Sequence, residues 1–230
     1  ISRGLQLLQC SLLMEEIFNA KKTSIVMMQD RGYEISAQEL SLLDLDEIPQ
    51  RFDDRIQLIK SLAADYKHSS LLEITVLRFA SAYEGESQSV SSKSIKQYIT
   101  DIKKMRDSYP NFKINFVLVG DTPSTSVIRK AMDEVGADGW QYFELNQMQS
   151  SPATHVFQPR YIRLSPSEAE AKIEELKIRD RGLNWMLETS PIARWYWYKP
   201  GDLILVLRDY EAIEGFAPIR PNYRIVVRSE

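Results

Sequence analysis

The sequence predicts an α/β N-terminal domain over residues 1–150, made of helices followed by a small mixed or parallel sheet, and a small α+β C-terminal module over residues 151–230. Between residues 71 and 145, strand-like and helix-like segments alternate, an order typical of parallel strands joined by helices. A polar stretch with Pro152 and paired serines then interrupts the pattern. New helix and strand signals follow it, and 230 residues are enough for two separate cores.

Three helices are predicted before the sheet. Apolar residues recur at helical spacing over residues 3–30, and Gly32 can end this helix in the left-handed conformation. Ser36 and Glu39 form a capping-box pattern, which predicts a short second helix extending past residue 43. A third helix is predicted over residues 53–67.

The alternating region consists of three strands and two helices. Short apolar runs rich in strand-forming residues predict strands over residues 71–79, 113–119 and 140–145. Helices are predicted over residues 94–109 and over residues 122–135, the second with a proline in its first turn. Residues 146–154 are predicted to form a linker.

The C-terminal module shows its own boundary signals. Residues 165–168, Ser-Pro-Ser-Glu, form a second capping box and predict a helix that continues to residue 177. Strands are predicted over residues 203–207 and 223–227, with a turn at residues 199–202.

The composition argues against several classes of function. A formal net charge of −3 does not suit a protein that holds nucleic acid by excess charge. Cys10, His68 and His155 lack partners at ligand spacing, so neither a metal nor a cofactor is expected. The sequence contains no Walker A motif, dinucleotide fingerprint or nucleophile elbow. No apolar run approaches the roughly 20 residues of a membrane helix, so no membrane partner is expected.

Acidic residues leave one enzymatic alternative open. Asp44 and Asp46 resemble the Asp-x-Asp motif of haloacid-dehalogenase-type phosphatases, and Asp121 resembles their later metal-binding aspartate. Such carboxylates could serve as nucleophile and acid beside Mg²⁺. Against this, Asp44 follows a capping box and is expected on a helix, and no second late aspartate occurs before Asp133. The function kept as an alternative is a free-standing Mg-dependent phosphatase or a nucleic-acid adaptor.

Residues 122–126, Thr-Pro-Ser-Thr-Ser, form a hydroxyl-rich loop between a predicted strand and a helix start. Backbone N–H groups, the helix dipole and the hydroxyls suit a phosphate, and Arg129 and Lys130 follow within two turns. A plain helix cap is the simpler interpretation, and the sequence alone favours it.

Residues 195–198, Trp-Tyr-Trp-Tyr, form the densest aromatic cluster. Such a cluster could stack on bases, fill a core or contact a protein partner. Pro191 before it and Pro200-Gly201 after it favour a core that also borders a partner interface.

Several of these segments carry a resemblance to a known family. Residues 190–195 match the pattern Asp-Pro-(Val or Ile)-Ala-Arg-Tyr, and residues 198–204 match Lys-Pro-Gly-Asp-Val-(Val or Ile). Residues 155–160 resemble His-Glu-Leu-Val-Pro-x-His. Together they are similar to a small archaeal RNA polymerase subunit and to the C-terminal module of the fifth small subunit shared by eukaryotic nuclear RNA polymerases. Residues 30–35 and 122–124 resemble the eukaryotic version only.

The resemblance implies a non-catalytic subunit of a DNA-directed RNA polymerase, located in the nucleoplasm or nucleolus. The N-terminal domain would be a jaw domain beside downstream double-stranded DNA, touched weakly and independently of sequence. The residues expected nearest DNA are Thr122, Pro123, Ser124, Thr125, Arg129 and Lys130. The C-terminal module would be an assembly module that docks on the largest polymerase subunit. The residues expected to bind this partner are His155, Pro191, Ile192, Ala193, Arg194, Trp195, Pro200, Gly201 and Asp202.

Departures from the family pattern point to a specialised member. Ser190 stands where the pattern has aspartate, Trp195 stands where it has tyrosine, and the segment after residue 208 is longer and altered. We therefore expect a divergent paralogue that serves one polymerase class.

Overall fold

A computed structural model describes residues 2–45, 61–80, 95–155, 157–177, 182–208 and 221–229, with side chains from residue 14 onward. Asp46, residues 53–60 of the predicted third helix and the altered segment over residues 209–220 lie outside the described residues. The chain forms two compact units, residues 1–150 and residues 151–230. In the part of the chain that the structure describes, no helix has the length and apolarity to span a membrane.

The N-terminal unit begins with a long helix, α1 (Ser2–Asp30), as predicted. Gly32 has φ +84°, and the amide of Tyr33 donates to the carbonyl of Met28 at 3.0 Å while that of Gly32 donates to Gln29 at 2.9 Å. These are the two bonds of a Schellman cap, so the predicted left-handed helix stop at Gly32 is confirmed.

A short second helix, α2 (Ala37–Leu40), begins at the predicted cap. Ser36 Oγ accepts the Glu39 amide at 3.2 Å, but the Glu39 carboxylate accepts a hydrogen bond from Lys21 Nζ at 2.6 Å instead of reaching back to the cap. The predicted extension of this helix is wrong, because residues 41–44 form turns and Asp44 lies in one of them.

Residues 64–67 are not helical as predicted but belong to a strand, β1 (Ala64–His68). Tyr66 is buried between the exposed Asp65 and Lys67, which is the alternation of a strand. This strand pairs antiparallel with β2 (Glu73–Ala80), so non-local pairing overrides the helical spacing of the sequence.

The four-stranded sheet has the order β1-β2-β3-β4, with β3 (Lys113–Gly120) and β4 (Gly139–Glu144) parallel to β2. The connections are α3 (Tyr98–Ser108) and α4 (Ser126–Glu134). These elements confirm the predicted order of strands and helices and the parallel pairing. Every residue of β3 after Lys113 is buried, as expected for a central parallel strand.

Two boundaries in this unit differ from the prediction. Helix α4 begins at Ser126 rather than at Thr122, because Thr125 is the capping residue. The predicted linker begins with a 3-10 turn (Leu145–Met148), whose two end residues are buried. Gln149 Nε2 donates to the Glu16 carbonyl of α1 at 3.0 Å, so this stretch belongs to the N-terminal unit.

The C-terminal unit has a four-stranded sheet of its own with the order β5-β7-β8-β6. Among the described strands of this unit, only the β8–β6 pair is parallel. The elements are β5 (Arg160–Arg163), α5 (Pro166–Leu176), β6 (Asn184–Leu187), α6 (Pro191–Trp195), β7 (Leu203–Leu207) and β8 (Asn222–Val227). The sequence predicted α5, β7 and β8 but not the three other elements. The capping box is confirmed, since Ser165 and Glu168 bond each other's backbone amides.

Candidate interaction surfaces

Thr125 and Tyr142 hold the loop between β3 and α4, residues 121–125, by hydrogen bonds. Thr125 Oγ1 accepts the Ile128 amide at 3.3 Å and so caps α4. The Tyr142 hydroxyl, reaching over from β4, donates to the Thr122 carbonyl at 2.6 Å. Burial raises the pKa of Tyr142, so this hydroxyl keeps its proton and remains a donor.

Gly120, the last residue of β3, makes room for this tyrosine. A β-carbon at position 120 would stand 2.8 Å from Tyr142 Cζ and closer still to the hydroxyl oxygen. Any side chain at this position would therefore displace Tyr142 and release Thr122.

The residues predicted to lie nearest DNA lie in this loop and in the first two turns of α4. Thr122 and Ser124 are half-buried, and the others, Pro123, Thr125, Arg129 and Lys130, are exposed. Ile128 and Ala131 bury the opposite side of α4 in the core formed with β2 and β3. The arrangement presents hydroxyls and two cations near one helix N-terminus, which suits contacts to phosphate oxygens.

The motif of the C-terminal unit builds the start of α6. Ser190 Oγ accepts the Ala193 amide at 3.3 Å, and Pro191 occupies the first turn. The side chains of Ile192, Ala193 and Trp195 are buried, with Trp195 only 1% exposed. These three predicted partner-binding residues lie inside the unit's own core, whereas Pro191 is exposed.

The aromatic cluster forms the end of the same helix. The Tyr198 amide donates to Ala193 O at 2.8 Å and the Trp197 amide to Arg194 O at 3.2 Å, which makes a Schellman cap with Trp197 at φ +55°. Tyr198 is buried, and burial raises its pKa. Its ring stacks on Tyr196 with centroids 5.3 Å apart.

Asp202 closes the turn that follows. Its Oδ2 accepts the Lys199 amide at 2.7 Å and lies 3.7 Å from Arg163 Nη1 of β5. Gly201 has φ +96° with open space around it, and both Gly201 and Pro200 are exposed. His155, also exposed, accepts the Phe157 amide at its Nδ1 at 3.2 Å.

One exposed surface was missed by sequence reasoning. Trp185 and Leu187 of the edge strand β6 are 66% and 48% exposed, while Met186 between them is buried. The strand register places Ile162 of β5 on the same face of the sheet, although Lys172 of α5 covers Tyr223 in its middle. The alternation of polar and apolar residues over 184–187 could have indicated this strand. Four residues are too few for that pattern to predict a strand by itself.

Nothing in the described geometry assembles the phosphatase. Asp44 lies in a turn after a helix, whereas a nucleophilic aspartate of that type belongs at a strand end. Among the described residues, no group of three His, Cys, Asp or Glu side chains could hold a metal ion.

Residues 151–226 match the family model described as RNA polymerase Rpb5, C-terminal domain. The chain is also 39% identical over 57 residues to the DNA-directed RNA polymerase subunit Rpo5 of Metallosphaera sedula, a match that spans 25% of this chain and 69% of that relative. The chain belongs to the Rpb5 family. As a member of the Rpb5 family, it is a non-catalytic RNA polymerase subunit and not an enzyme on its own.

Two longer Rpb5-family matches span nearly the whole chain. Subunit 5B of DNA-directed RNA polymerases IV and V from Arabidopsis thaliana is 23% identical over 223 residues, 94% of each chain. Subunit RPABC1 of DNA-directed RNA polymerases I, II, and III from Caenorhabditis briggsae is 21% identical over 211 residues, 92% of this chain and 95% of that relative. The Rpb5-family relatives thus include both a shared and a class-restricted subunit.

Proposed function

We propose that this chain is a structural subunit of a nuclear DNA-directed RNA polymerase, with residues 151–230 docked on the largest subunit and residues 1–150 forming a jaw domain beside downstream DNA. The observation that carries the proposal is the match of residues 151–226 to the Rpb5 C-terminal domain. Whether the chain is located in the nucleoplasm or in the nucleolus would follow from the class of polymerase that contains it. The relative that belongs to polymerases IV and V supports a role in one polymerase class.

The exposed face of the C-terminal sheet supports the docking. A permanent interface is apolar and depleted in charge at its centre, and aromatic residues are enriched there. Trp185 and Leu187 supply such an apolar patch at the β6 edge of the sheet, away from Lys172 in the middle of this face. Met186 faces the opposite side and packs in the core. An exposed edge strand that carries two large apolar residues is otherwise a liability for aggregation.

Affinity purification of the tagged chain from its source cells, followed by mass spectrometry, tests the proposal. We expect the two largest polymerase subunits in equal amounts with the tagged chain, and the class-specific subunits beside them identify the polymerase. Recovery of the chain without any polymerase subunit would sink the proposal.

The docking face can be tested by the double substitution Trp185→Ser and Leu187→Ser. Because both side chains point away from the core, the protein should fold normally while its retention in the polymerase falls. Val127→Ser is the matched control, since Val127 is 57% exposed and lies on α4 of the N-terminal unit. If the unchanged chain, the double variant and the control variant were retained equally in the polymerase, this face would be excluded as the docking surface.

Arg194 is proposed to contact the partner from α6, which packs with Met186 on the side of the sheet opposite to Trp185 and Leu187. It is half-buried at the end of α6, so its truncation should impair assembly more than the thermal stability of the chain. Lys104→Ala, at an exposed position of α3 in the N-terminal unit, is the control for loss of one positive charge. A loss of stability that matches the loss of assembly would assign Arg194 to the fold instead.

The contact with DNA is proposed for the hydroxyl-rich loop and for Arg129 and Lys130. Replacing both cations by alanine should weaken DNA retention modestly and independently of sequence, because they would contact phosphates. The slope of log affinity against log salt concentration is negative, and each lost phosphate contact should reduce its magnitude by about one. The double substitution Lys103→Ala and Lys104→Ala, at two exposed positions of α3, is the matched control. A sequence-dependent effect would contradict the proposal.

A further inference from the structure

Arg224 of β8 has a buried nitrogen that lacks a hydrogen-bond partner. The side chain as a whole is half-buried, but its Nε atom is shielded from water and, in the described part of the chain, bonds to no acceptor. A guanidinium is a donor only, and a buried N–H that stays unpaired is costly. The orphaned Nε therefore indicates that the chain alone does not complete the surroundings of Arg224.

The strand register places Arg224 on the face of the C-terminal sheet that α6 covers. Arg224 stands opposite Ile204 of β7 and Asn184 of β6, and residues that stand opposite each other share a face. Ile204 is fully buried and packs in one core with Ile192 and Ala193 of α6. Because β6 is the edge strand and Asn184 is exposed, Arg224 lies where this core meets the surface.

A second arginine in the same row of the sheet already has an acidic partner. Arg163 of β5 stands opposite Ile204 on its other side, and its Nη1 lies 3.7 Å from Asp202 Oδ2. Asp202 also accepts the Lys199 amide, so its carboxylate is committed on the Arg163 side of the row. Of two arginines that flank one buried isoleucine, the described chain thus supplies a carboxylate to Arg163 and none to Arg224.

The polar side chains near Arg224 do not replace that carboxylate. Asn184 Nδ2 donates to Asn222 Oδ1 at 3.1 Å, so the two amides on this part of the face bond to each other. Glu188 follows β6, four residues beyond Asn184 and thus about 13 Å farther along the strand. Helix α5 packs on the opposite face, against Tyr223. The described residues therefore leave the guanidinium of Arg224 without an acidic partner.

We propose that Arg224 binds a carboxylate of the largest polymerase subunit when residues 151–230 dock on it. This inference rests on the proposed function and names a contact for it on the α6 side of the sheet. Rotation about the last side-chain bonds turns the Nε–Nη edge outward, where an Asp or Glu side chain accepts both N–H groups as a bidentate pair. Because the side chain is already half-buried, docking costs it less solvation than it would cost an exposed arginine.

The setting of Arg224 favours a protein carboxylate over a nucleic-acid phosphate. Phosphate backbones are contacted mainly by exposed cations spread along a surface. Arg224 is half-buried at the border of a core, and the amides of Asn184 and Asn222 beside it suit further hydrogen bonds to a protein chain. Arginine in such a position is typical of the centre of a protein interface.

Affinity purification of the tagged full chain with the polymerase tests the contact. Arg224→Gln keeps a polar side chain but removes the charge, so recovery of the largest subunit per tagged chain should fall by about tenfold, as for a hot-spot residue. Arg224→Glu should lower recovery further, because two carboxylates would then meet. Lys104→Gln, at an exposed position of α3 in the N-terminal unit, is the matched control and should be retained like the unchanged chain.

The substitution Arg224→Lys identifies the partner group. It keeps a positive charge, and treating the purified polymerase with a carbodiimide couples a lysine amine only to a carboxylate in direct contact. Mass spectrometry should then show position 224 linked to an Asp or Glu of the largest subunit. A link only to carboxylates of the chain itself, or no link, overturns the inference. So does a loss of Arg224→Lys from the polymerase as complete as that of Arg224→Glu.

Thermal melting of the free full chain distinguishes an interface residue from a structural one. Arg224→Gln should melt at the same or a higher temperature than the unchanged chain, because it removes a buried donor that has no partner. A lower melting temperature would assign Arg224 to the fold and overturn the inference. Full retention of Arg224→Gln in the polymerase would also overturn it and leave the proposed function intact, whereas an unchanged chain that recovers no polymerase would refute both.

Discussion

Gly120→Ala tests how the hydroxyl-rich loop is held. The new methyl group would stand 2.8 Å from Tyr142 Cζ and nearer still to its hydroxyl, so the ring has to move. That hydroxyl donates to the Thr122 carbonyl at 2.6 Å, and a displaced ring cannot keep the bond. One methyl group therefore affects both the core packing of β4 and the loop proposed to face DNA.

The magnitude follows from two separate costs. Overpacking a well-packed core costs about 1–3 kcal/mol, and the lost hydrogen bond costs about 1 kcal/mol. Gly120→Ala should therefore lower the free energy of unfolding by about 2–4 kcal/mol. Tyr142→Phe keeps the ring but removes the donor, and should cost about 1 kcal/mol.

A double-mutant cycle measured by urea unfolding tests this reasoning. In the Tyr142→Phe background, Gly120→Ala no longer meets a hydroxyl and cannot break a bond that is already absent. The two substitutions should therefore cost less together than the sum of their separate costs, by about 1 kcal/mol or more. Strict additivity would refute the argument, as would a Gly120→Ala protein of unchanged stability.

Three further substitutions test other parts of the chain. Lys21→Met should cost about 3 kcal/mol in urea unfolding, because Glu39, bonded to Lys21 at 2.6 Å, would lose its cation in a largely buried site. Ser165→Ala should cost about 1 kcal/mol as a lost helix cap. The same change should bring the lowered pKa of Glu168 back up toward its ordinary value in an NMR titration, since the Ser165 hydrogen bonds lower it. Gly201→Ala should cost about 1 kcal/mol from backbone strain alone, because a β-carbon there meets open space.

The titration of Glu168 has a definite sign. A carboxyl whose pKa is lower in the folded than in the unfolded protein stabilises the fold at neutral pH. This contribution is lost as the pH falls from the ordinary glutamate value through the lower folded value. Ser165→Ala should therefore reduce the difference in stability between neutral and acidic pH, and an unchanged difference would contradict the role of this cap.

The sequence predicted the central sheet well because β2 and β3 are buried on both faces and appear as nearly continuous apolar runs. It failed at β1, β5 and β6, which have four or five residues each and lie at sheet edges. Short edge strands are defined by their partners rather than by their own residues, and a single sequence does not show which segments will pair.

The candidate functional residues also divide into those that local sequence predicts and those that only the fold reveals. The segment 122–126 was recognised because a cap depends on local spacing, and Thr125 forms that cap in the structure. A matched motif does not distinguish core from surface: Trp195 was expected to be part of the core and also of a partner interface, and in the structure it is buried. Trp185 and Leu187 were missed because only the fold reveals which side of β6 faces water.

The burial of the motif changes how the resemblance should be interpreted. Pro191 starts α6, Trp197 ends it, and Gly201 with Asp202 closes the following turn. Several residues that carry the family resemblance therefore form one helix and one turn of the C-terminal unit. A specialised polymerase subunit needs the same helix and turn but a different partner. Class specificity is then expected at exposed positions outside the motif, where a substitution changes the partner surface and leaves the fold intact.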